Sequence, residues 1–379
     1  MIFNETKYNS SWNTKKLIEL GEFSRGKSKH RPRNDKILFE NGKYPLIQTG
    51  DIKSSNLYVK KHSSEYNDLG LEQSKLWDKG TLCITIAANI AESGILAYPM
   101  CFPDSIVGFT ANKDECSELF MYYVFEYIKN SIKSSASGSI QDNININYLS
   151  NLEFKIPDLK YQNKIVDVLK NIDDKININY EIIDEINNLA TATYNYKILQ
   201  KLKNEENIKE WKIFKISDVV NVITGKEDAN FSSPDGEYPF FTCSSEILKC
   251  NEYKFEGKAV LLAGNGELNI KYYDGKFNAY QRTYVLIPKE EKYVGLIYQA
   301  LLNKLNILKK GANGSIVKFI TKDDVADTKI YISNNNKNIE CFNKYLDTID
   351  KLQKENNYLF NLKNYLIPLL MNGQIKIED

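Results

Sequence analysis

The sequence lacks the features that mark several large protein classes. Its 379 residues carry 50 Lys and Arg against 49 Asp and Glu, so any affinity for nucleic acid must come from local charge. The six cysteines form no Cys-x-x-Cys pair, which argues against a zinc finger or a disulfide framework. No apolar run is long enough to span a bilayer, and the first residues carry no signal-peptide pattern. We therefore expect a cytoplasmic protein without membrane association.

Signatures of catalysis are equally scarce. No Gly-rich loop ends in Gly-Lys-Ser or Gly-Lys-Thr, and Gly264-Asn265-Gly266 lacks the third glycine of a dinucleotide fingerprint. The Asn/Asp-Pro-Pro-aromatic tetrapeptide of DNA amino-methyltransferases is absent. Pro234-Asp235 with Glu252-Tyr253-Lys254 resembles the carboxylates and lysine of metal-dependent nucleases, although Pro-Asp-Gly also suits a plain turn. We expect no catalytic residue, no metal and no cofactor.

The chain does contain an internal repeat. Matching residues recur in the same order, first 199 residues apart and, after losses at loop-like places, 175 to 177 residues apart. A repeated order of this kind indicates a duplicated domain. The matched pairs are Trp12 with Trp211, Gly26 with Gly225, Tyr44 with Tyr238, Gly80 with Gly257, Phe102 with Phe277, Gly138 with Gly314, and Ile172 with Ile349.

Each copy combines strand-like and helix-like patterns. The runs at 81–88 and 259–264 are apolar and short, as buried strands are, whereas 119–132 and 294–305 show helical periodicity. The sequence therefore predicts a mixed α+β fold with two similar α/β domains.

Two long amphipathic segments follow the two domains. Apolar residues recur there in alternating steps of four and three, the spacing of a coiled-coil seam. The first seam contains Ile165, Leu169, Ile172, Ile176, Asn179, Ile183, Ile186, Ala190, Thr193 and Lys197. The second contains Phe342, Tyr345, Ile349, Leu352, Asn356, Leu359, Lys363, Leu366 and Leu370.

These seams predict two long antiparallel coiled-coil helices that separate the domains in an internal pseudo-two-fold repeat. Asn179 and Asn356 lie at equivalent places, and a polar seam residue of this kind commonly specifies register. The expected boundaries are 1–158 for the first recognition domain, 159–200 for the first helix, 201–338 for the second domain and 339–379 for the second helix.

The junctions between domain and helix resemble those of a known family. The first copy has Gly138-Ser139-Ile140, then Ile156-Pro157 and Gln162 at the start of the helix. The second keeps Gly314-Ser315-Ile316 but reads YISNNNKNIE where Pro and Gln would stand. With the C-terminal LLMNGQI, the whole chain resembles the specificity subunit of type I restriction-modification enzymes.

The resemblance implies a sequence-specific DNA-binding subunit without catalysis of its own. Each target-recognition domain of that family reads one half of a bipartite double-stranded DNA target. Two DNA methyltransferase (modification) subunits dock on the helices, and restriction endonuclease subunits join them. S-adenosylmethionine and ATP would then belong to those partners, and no cofactor to this chain.

We expect the DNA contacts to come from loops rich in cations, amides and hydroxyls, the groups that bind phosphates and base edges. In the first copy these are Arg25, Lys27, Lys29, Arg31, Arg33, Gln48, Thr49, Ser137, Gly138 and Ser139. In the second they are Lys226, Thr242, Ser244, Ser245, Gln281, Arg282, Asn313, Gly314 and Ser315. The expected partner-binding residues are Ile165, Leu169, Ile172, Ile176, Ile349, Leu352, Leu359 and Leu366.

Other functions stay open at this point. The chain would also suit the DNA-recognition module of an enzyme acting in cis, a metal-dependent nuclease, or a scaffold whose coiled coil joins two protein-binding domains. DNA binding separates the scaffold from the rest, and DNA cleavage by the chain alone would identify a nuclease.

Overall fold

A computed structural model describes residues 3, 5–137, 144, 146–200, 211–244, 246–266, 268–311, 319–333 and 337–378. The chain forms two compact units, unit 1 (Met1–Ile178 with Asn357–Asp379) and unit 2 (Asn179–Asn356). Each unit contains strands, short helices and parts of both long helices. The expected mixed α+β class is confirmed.

The strands of unit 1 are short and form three sheets. They are β1 (Asn13–Lys16), β2 (Gly21–Arg25), β3 (Tyr44–Leu46), β4 (Tyr58–Val59), β5 (Ser64–Tyr66), β6 (Leu76–Trp77), β7 (Leu82–Thr85), β8 (Ser93–Leu96), β9 (Met100–Cys101), β10 (Ile106–Ala111) and β11 (Glu153–Ile156). One sheet has the order β2-β10-β7-β8-β4, a second β5-β3-β9-β6, and β1 pairs with β11. Every residue of β7 is buried, as its continuous apolar sequence predicts.

Helices alternate with these strands along the chain. They are α1 (Leu17–Leu20), α2 (Thr49–Lys53), α3 (Asp68–Glu72), α4 (Glu118–Ser137), α5 (Ile146–Ser150) and the long α6 (Leu159–Tyr194), which continues as a π-helix over Asn195–Gln200. The helix expected at 119–132 is α4, whose Phe120, Tyr123 and Phe125 are among the largest fully buried side chains. They join Ile165 and Leu169 of α6 in one core.

Unit 2 repeats this plan with longer strands. The strands are β12 (Trp211–Lys215), β13 (Val220–Thr224), β14 (Tyr238–Phe241), β15 (Ile247–Cys250), β16 (Phe255–Ala263), β17 (Ile270–Ala279), β18 (Thr283–Pro288) and β19 (Lys329–Ser333). The helices are α7 (Ile216–Val219), α8 (Val294–Gly311), α9 (Lys322–Ala326) and α10 (Lys337–Met371). A six-stranded sheet has the order β13-β18-β16-β17-β14-β15, and β12 pairs with β19.

The hydrogen-bond register corrects one of the sequence matches. In unit 1 the backbone N–H of Ile47 donates to Cys101 (3.0 Å), next to the parallel bridge between β3 and β9. In unit 2 the parallel pairing of β14 with β17 joins Phe241 to Ala279. Phe102 is therefore equivalent to Ala279 and not to Phe277. The sequence match is two residues off because alternate strand residues share a face, so both positions have the pattern of core residues.

The two long helices begin in different ways. Asp158 accepts a hydrogen bond from the backbone N–H of Tyr161 (2.9 Å) and so caps α6. The buried Gln162 then donates through Nε2 to the carbonyl oxygens of Pro157 (3.0 Å) and Glu115 (2.8 Å). This contact gives a structural role to the glutamine expected near the helix start.

The second junction, which lacks the Pro and Gln, still leads into a helix that starts at Lys337. Buried Ile339 stands where the repeat would place the glutamine. Asn343 provides the polar contact instead: its Oδ1 accepts from the N–H of Gly295 (2.8 Å), and its Nδ2 donates to Lys292 (2.9 Å).

Within unit 2 the two long helices run antiparallel. Nδ2 of Asn179 donates to Oδ1 of Asn356 (2.8 Å), and the hydroxyls of Thr193 and Tyr345 lie 3.5 Å apart. Positions rise along α6 as they fall along α10, which confirms the antiparallel pairing. The two seam asparagines therefore contact each other.

The seam departs from the heptad near the end of α6. The sequence places Thr193 and Lys197 on the seam, but the structure buries Tyr194 and Ile198. An α-helix has 3.6 residues per turn, so by Tyr194 its buried face has drifted from a strict 3.5-residue repeat, and the π-helix that contains Ile198 changes the spacing again. Tyr194 and Ile198 belong to the core of unit 2, which this part of the chain covers.

No helix among the described residues is both long enough and apolar enough to cross a bilayer.

Candidate nucleic-acid interface

The cationic loop of unit 1 (residues 25–36) starts where β2 meets a neighbouring turn. The backbone N–H of Gly26 donates to the carbonyl oxygen of Ile106 (2.9 Å), and the backbone N–H of Lys27 donates to the carbonyl oxygen of Phe102 (3.1 Å). A Cβ atom at Gly26 would lie 2.2 Å from the Phe102 carbonyl oxygen, so only glycine permits this approach. The Gly-Lys pair therefore anchors the loop while the Lys27 side chain stays exposed.

Further contacts hold this loop against the chain that follows α3. Oε1 of Gln73 accepts from the backbone N–H groups of Lys29 (2.7 Å) and His30 (3.1 Å), and Ser74 donates to the Lys27 carbonyl (2.9 Å). The hydrogen bond from the His30 imidazole lowers the pKa of Asp35. The loop is thus an ordered part of the surface.

The three arginines of the loop are in different situations. Arg25 is exposed at the end of β2. Arg31 donates through Nη1 to the carbonyls of Ser28 (2.7 Å) and His30 (2.8 Å). Nη2 of Arg33 lies 2.9 and 3.1 Å from the two carboxylate oxygens of Asp104.

The Gln48–Thr49 segment lies beside the same turn. The backbone N–H of Ile47 donates to the Cys101 carbonyl. The next residue, Phe102, is the one whose carbonyl accepts from the N–H of Lys27. Gln48 caps α2, its N–H donating to Asp51 (2.7 Å), and is exposed, whereas Thr49 is half-buried. The structure therefore gathers two of the three sequence-predicted segments of unit 1 around residues 101–104.

Unit 2 gathers its predicted segments in the same way. A Cβ atom at Gly225 would lie 2.2 Å from the Ala279 carbonyl oxygen, as at Gly26. The N–H of Tyr280 donates to Phe241 (2.9 Å), and that of Gln281 donates to Glu227 (2.9 Å). Lys226, the start of the Thr242–Ser244 segment and the Gln281–Arg282 turn therefore form one continuous edge.

Two residues that the sequence reasoning missed complete this edge. Nδ2 of Asn269 donates to the Cys243 carbonyl (2.9 Å), and Nζ of Lys271 donates to the Ser244 carbonyl (2.6 Å). Thr242 is buried, whereas Ser244, Gln281 and Arg282 are exposed. Lys271 went unpredicted because β17 was not expected to run beside the Thr242–Ser244 segment.

The remaining predicted DNA-binding residues belong to the third segment of each unit or, in one case, to the Thr242–Ser245 segment. Ser137 is the last residue of α4. Outside the described residues lie Gly138, Ser139, Ser245, Asn313, Gly314 and Ser315.

The expected partner-binding residues lie on the helix seam. Ile165 and Leu169 are fully buried, and Ile176 and Ile349 nearly so. The others, each half-buried, are Ile172, Leu352, Leu359 and Leu366. Their docking role stays a prediction, since a side chain buried within the chain has little surface left for a partner.

The nuclease-like pattern does not gather into a metal-binding group. Among the described residues, no three His, Cys, Asp or Glu side chains lie close enough to hold a metal ion. Asp235 lies in a turn closed by the N–H of Gly236 (3.0 Å to Ser233), and Lys254 faces Glu227 (3.5 Å).

Comparison with known families shows which proteins share this plan. The type I restriction modification DNA specificity domain matches the chain twice, at residues 9–188 and 208–365. The chain belongs to this family. Each match contains one cationic or polar edge and most of one long helix. The resemblance noted at the domain–helix junctions and the internal repeat are both confirmed.

Relatives in this family align over different lengths. The specificity subunit of the type I restriction enzyme EcoDI of Escherichia coli is 34% identical over 177 residues, which cover 45% of this chain and 39% of that subunit. The MjaIX specificity subunit of Methanocaldococcus jannaschii is 21% identical, with 100% of this chain and 97% of that subunit covered. The match therefore spans well under half of the E. coli relative and nearly all of the archaeal one.

A solved structure has the same fold. The crystal structure of the type I restriction-modification S subunit from M. genitalium aligns over 100% of both chains with a TM-score of 0.57 and 18% sequence identity. At that identity the likeness concerns the fold alone.

Proposed function

We propose that this chain is the sequence-specific DNA-binding specificity subunit of a type I restriction-modification complex. Unit 1 and unit 2 each read one half of a bipartite double-stranded target. The observation that carries this is the double family match combined with the equivalent edges around residues 101–104 and 279–282. The two edges share a backbone arrangement but differ in side chains, as two readers of different half-sites must.

The proposal assigns catalysis to partners. Two methyltransferase subunits dock on the long helices and carry out methylation, restriction endonuclease subunits join them, and the complex works on DNA in the cytoplasm. Seam residues such as Ile165 are buried, so the exposed faces of the helices are better suited to docking. Apolar side chains are exposed there on Tyr180, Ile182 and Leu189 in unit 2, and on Tyr358, Phe360 and Tyr365 in unit 1.

A domain exchange tests this function. Residues 201–338 would be replaced by the corresponding domain of a related subunit, and the methylated motif read by long-read sequencing in a host that also expresses the methyltransferase. We expect one half of the motif to change and the other half to stay. Changes in both halves, or methylation without any motif, would contradict the assignment of one unit to one half-site.

A further inference from the structure

Two turns occupy equivalent places in the two units. The N–H of Gly26 donates to Ile106 (2.9 Å), and the N–H of Gly225 donates to Thr283 (3.0 Å). The turn before β10 is thus equivalent to the turn before β18. At the separation of 177 residues that this register sets, Asp104 is equivalent to Gln281.

Each of these residues contacts the loop that follows the Gly-Lys pair. Asp104 accepts from Nη2 of Arg33, and both side chains are nearly half exposed (43% and 46%). Gln281 donates through Nε2 to Oδ1 of Asp228 (2.8 Å). Asp228, like Gln281, is exposed.

The two pairs are of the same kind, but the carboxylate and its partner have exchanged places. Each joins one carboxylate to one residue of the type that reads bases in the major groove. Arginine makes a bidentate contact to guanine, and glutamine makes one to adenine. In unit 1 the carboxylate is on the turn (Asp104), and in unit 2 it is on the loop (Asp228).

The contacts leave both readers able to bind a base. Nη2 is the nitrogen of Arg33 that binds Asp104, so both N–H groups of Nη1 stay available, and one of them pairs with the second N–H of Nη2 in a bidentate contact to a base. Gln281 keeps its Oε1 and the second N–H of its amide. A carboxylate that holds such a flexible side chain reduces the ordering entropy lost on binding.

We infer that Arg33 reads a guanine in the half-site of unit 1 and that Gln281 reads an adenine in the half-site of unit 2. Asp104 and Asp228 are positioning residues that hold these side chains. The inference rests on the proposed function. It adds the reading residue of each unit and the base pair that each recognises, G·C for unit 1 and A·T for unit 2.

The test uses the full chain with its methyltransferase, and the variants Arg33→Lys, Asp104→Ala, Gln281→Ala and Asp228→Ala. Arg33→Lys keeps the charge but loses the planar fork, so discrimination at one G·C pair of one half should fall roughly 10- to 100-fold. Gln281→Ala should do the same at one A·T pair of the other half. Each aspartate variant should also reduce discrimination at the base pair that its partner side chain reads, but by a smaller factor.

Asp114→Ala is the matched control, because Asp114 is an exposed acid of unit 1 outside this edge and should leave both halves unchanged. Binding of the purified complex to duplexes with single-base changes measures discrimination even where methylation is lost. A bipartite motif that stays unchanged in the reader variants would overturn the inference and spare the proposed function. Relaxed specificity in the half-site that the other unit reads would also overturn the inference. If the unmodified chain specifies no motif, the proposed function itself fails.

Discussion

Unit 1 and unit 2 share their strand plan and helix pairing, yet they differ in what they bury along the long helices. In unit 1 an ion pair is buried: Nζ of Lys363 lies 2.6 Å from Oδ1 of Asp173, with side chains 4% and 0% exposed. The hydroxyl of Tyr123 on α4 donates to the other oxygen of Asp173 (2.8 Å). Burial and the Asp173 carboxylate raise the pKa of Tyr123, which keeps the phenol protonated as a donor.

Unit 2 has no counterpart to this ion pair at the equivalent positions. Asp350, equivalent to Asp173, pairs with Lys354 on its own helix (2.6 Å), and Ile186 stands where the repeat would place Lys363. The same fold therefore forms with and without the buried charges. Such a pair repays its desolvation cost only when both partners are present, so unit 1 should depend on Lys363 in a way that unit 2 does not depend on Lys354.

The prediction with the largest expected effect tests the dependence of unit 1 on Lys363. Lys363→Met leaves Asp173 buried without a counter-charge and should lower the free energy of unfolding by about 3 to 5 kcal/mol. Urea unfolding followed by tryptophan fluorescence measures the change. The matched variant in unit 2, Lys354→Met, removes an exposed partner and should change stability by less than about 1 kcal/mol.

A double variant checks the cause of that loss. Lys363→Met with Asp173→Leu removes both charges, so it should be less destabilising than Lys363→Met alone. A double variant at least as destabilising as the single one would show that packing, and not the unpaired carboxylate, is responsible.

The second prediction concerns which residues of the first long helix are buried in each unit. In unit 1 the heptad position Leu169 is buried, but in unit 2 the buried residue is Ile198 and not the heptad position Lys197. Ile198→Ala should therefore cost about 2 to 5 kcal/mol by leaving a cavity, whereas Lys197→Ala should stay within about 0.5 kcal/mol. If thermal or urea unfolding showed the same loss of free energy for both variants, the buried positions of unit 2 would follow the strict heptad.

The smallest expected effect compares the two Gly-Lys loops on DNA. Unit 1 follows Arg25 with Lys27 and Lys29, whereas in unit 2 Lys226 is followed by Glu227 and Asp228. Neutralising the three cations of unit 1 should flatten the slope of log affinity against log salt by roughly two to three units, and Lys226→Ala by no more than about one. The measurement is a DNA-binding titration of the full chain at several salt concentrations. Equal slopes in all variants would remove these loops from the phosphate contacts.

Much of the fold was predictable because it depends on local periodicity. The four-and-three spacing predicts both long helices, and the separation of 177 residues places Asn179 and Asn356 at equivalent seam positions, where the structure shows them in contact. The loops of the candidate interface were also predictable as cation-rich or polar segments beside turns that recur in both copies, such as Gly26-Lys27 and Gly225-Lys226. What could not be predicted is which loop residues meet, since Arg33 and Asp104 are 71 residues apart in the chain.

The sequence by itself determined the duplication, the two helices, the mixed fold and the family, because these follow from repeated order and from the period of apolar residues. Only the tertiary structure decided that Asp173 and not Ile172 is buried in unit 1, that Tyr194 and Ile198 are more deeply buried in unit 2 than the heptad positions Thr193 and Lys197, and that Asp104 and Gln281 are equivalent. The physical reason is that burial and register are set by the surface an element packs against. Residues far away in the chain form that surface, and no local pattern contains it.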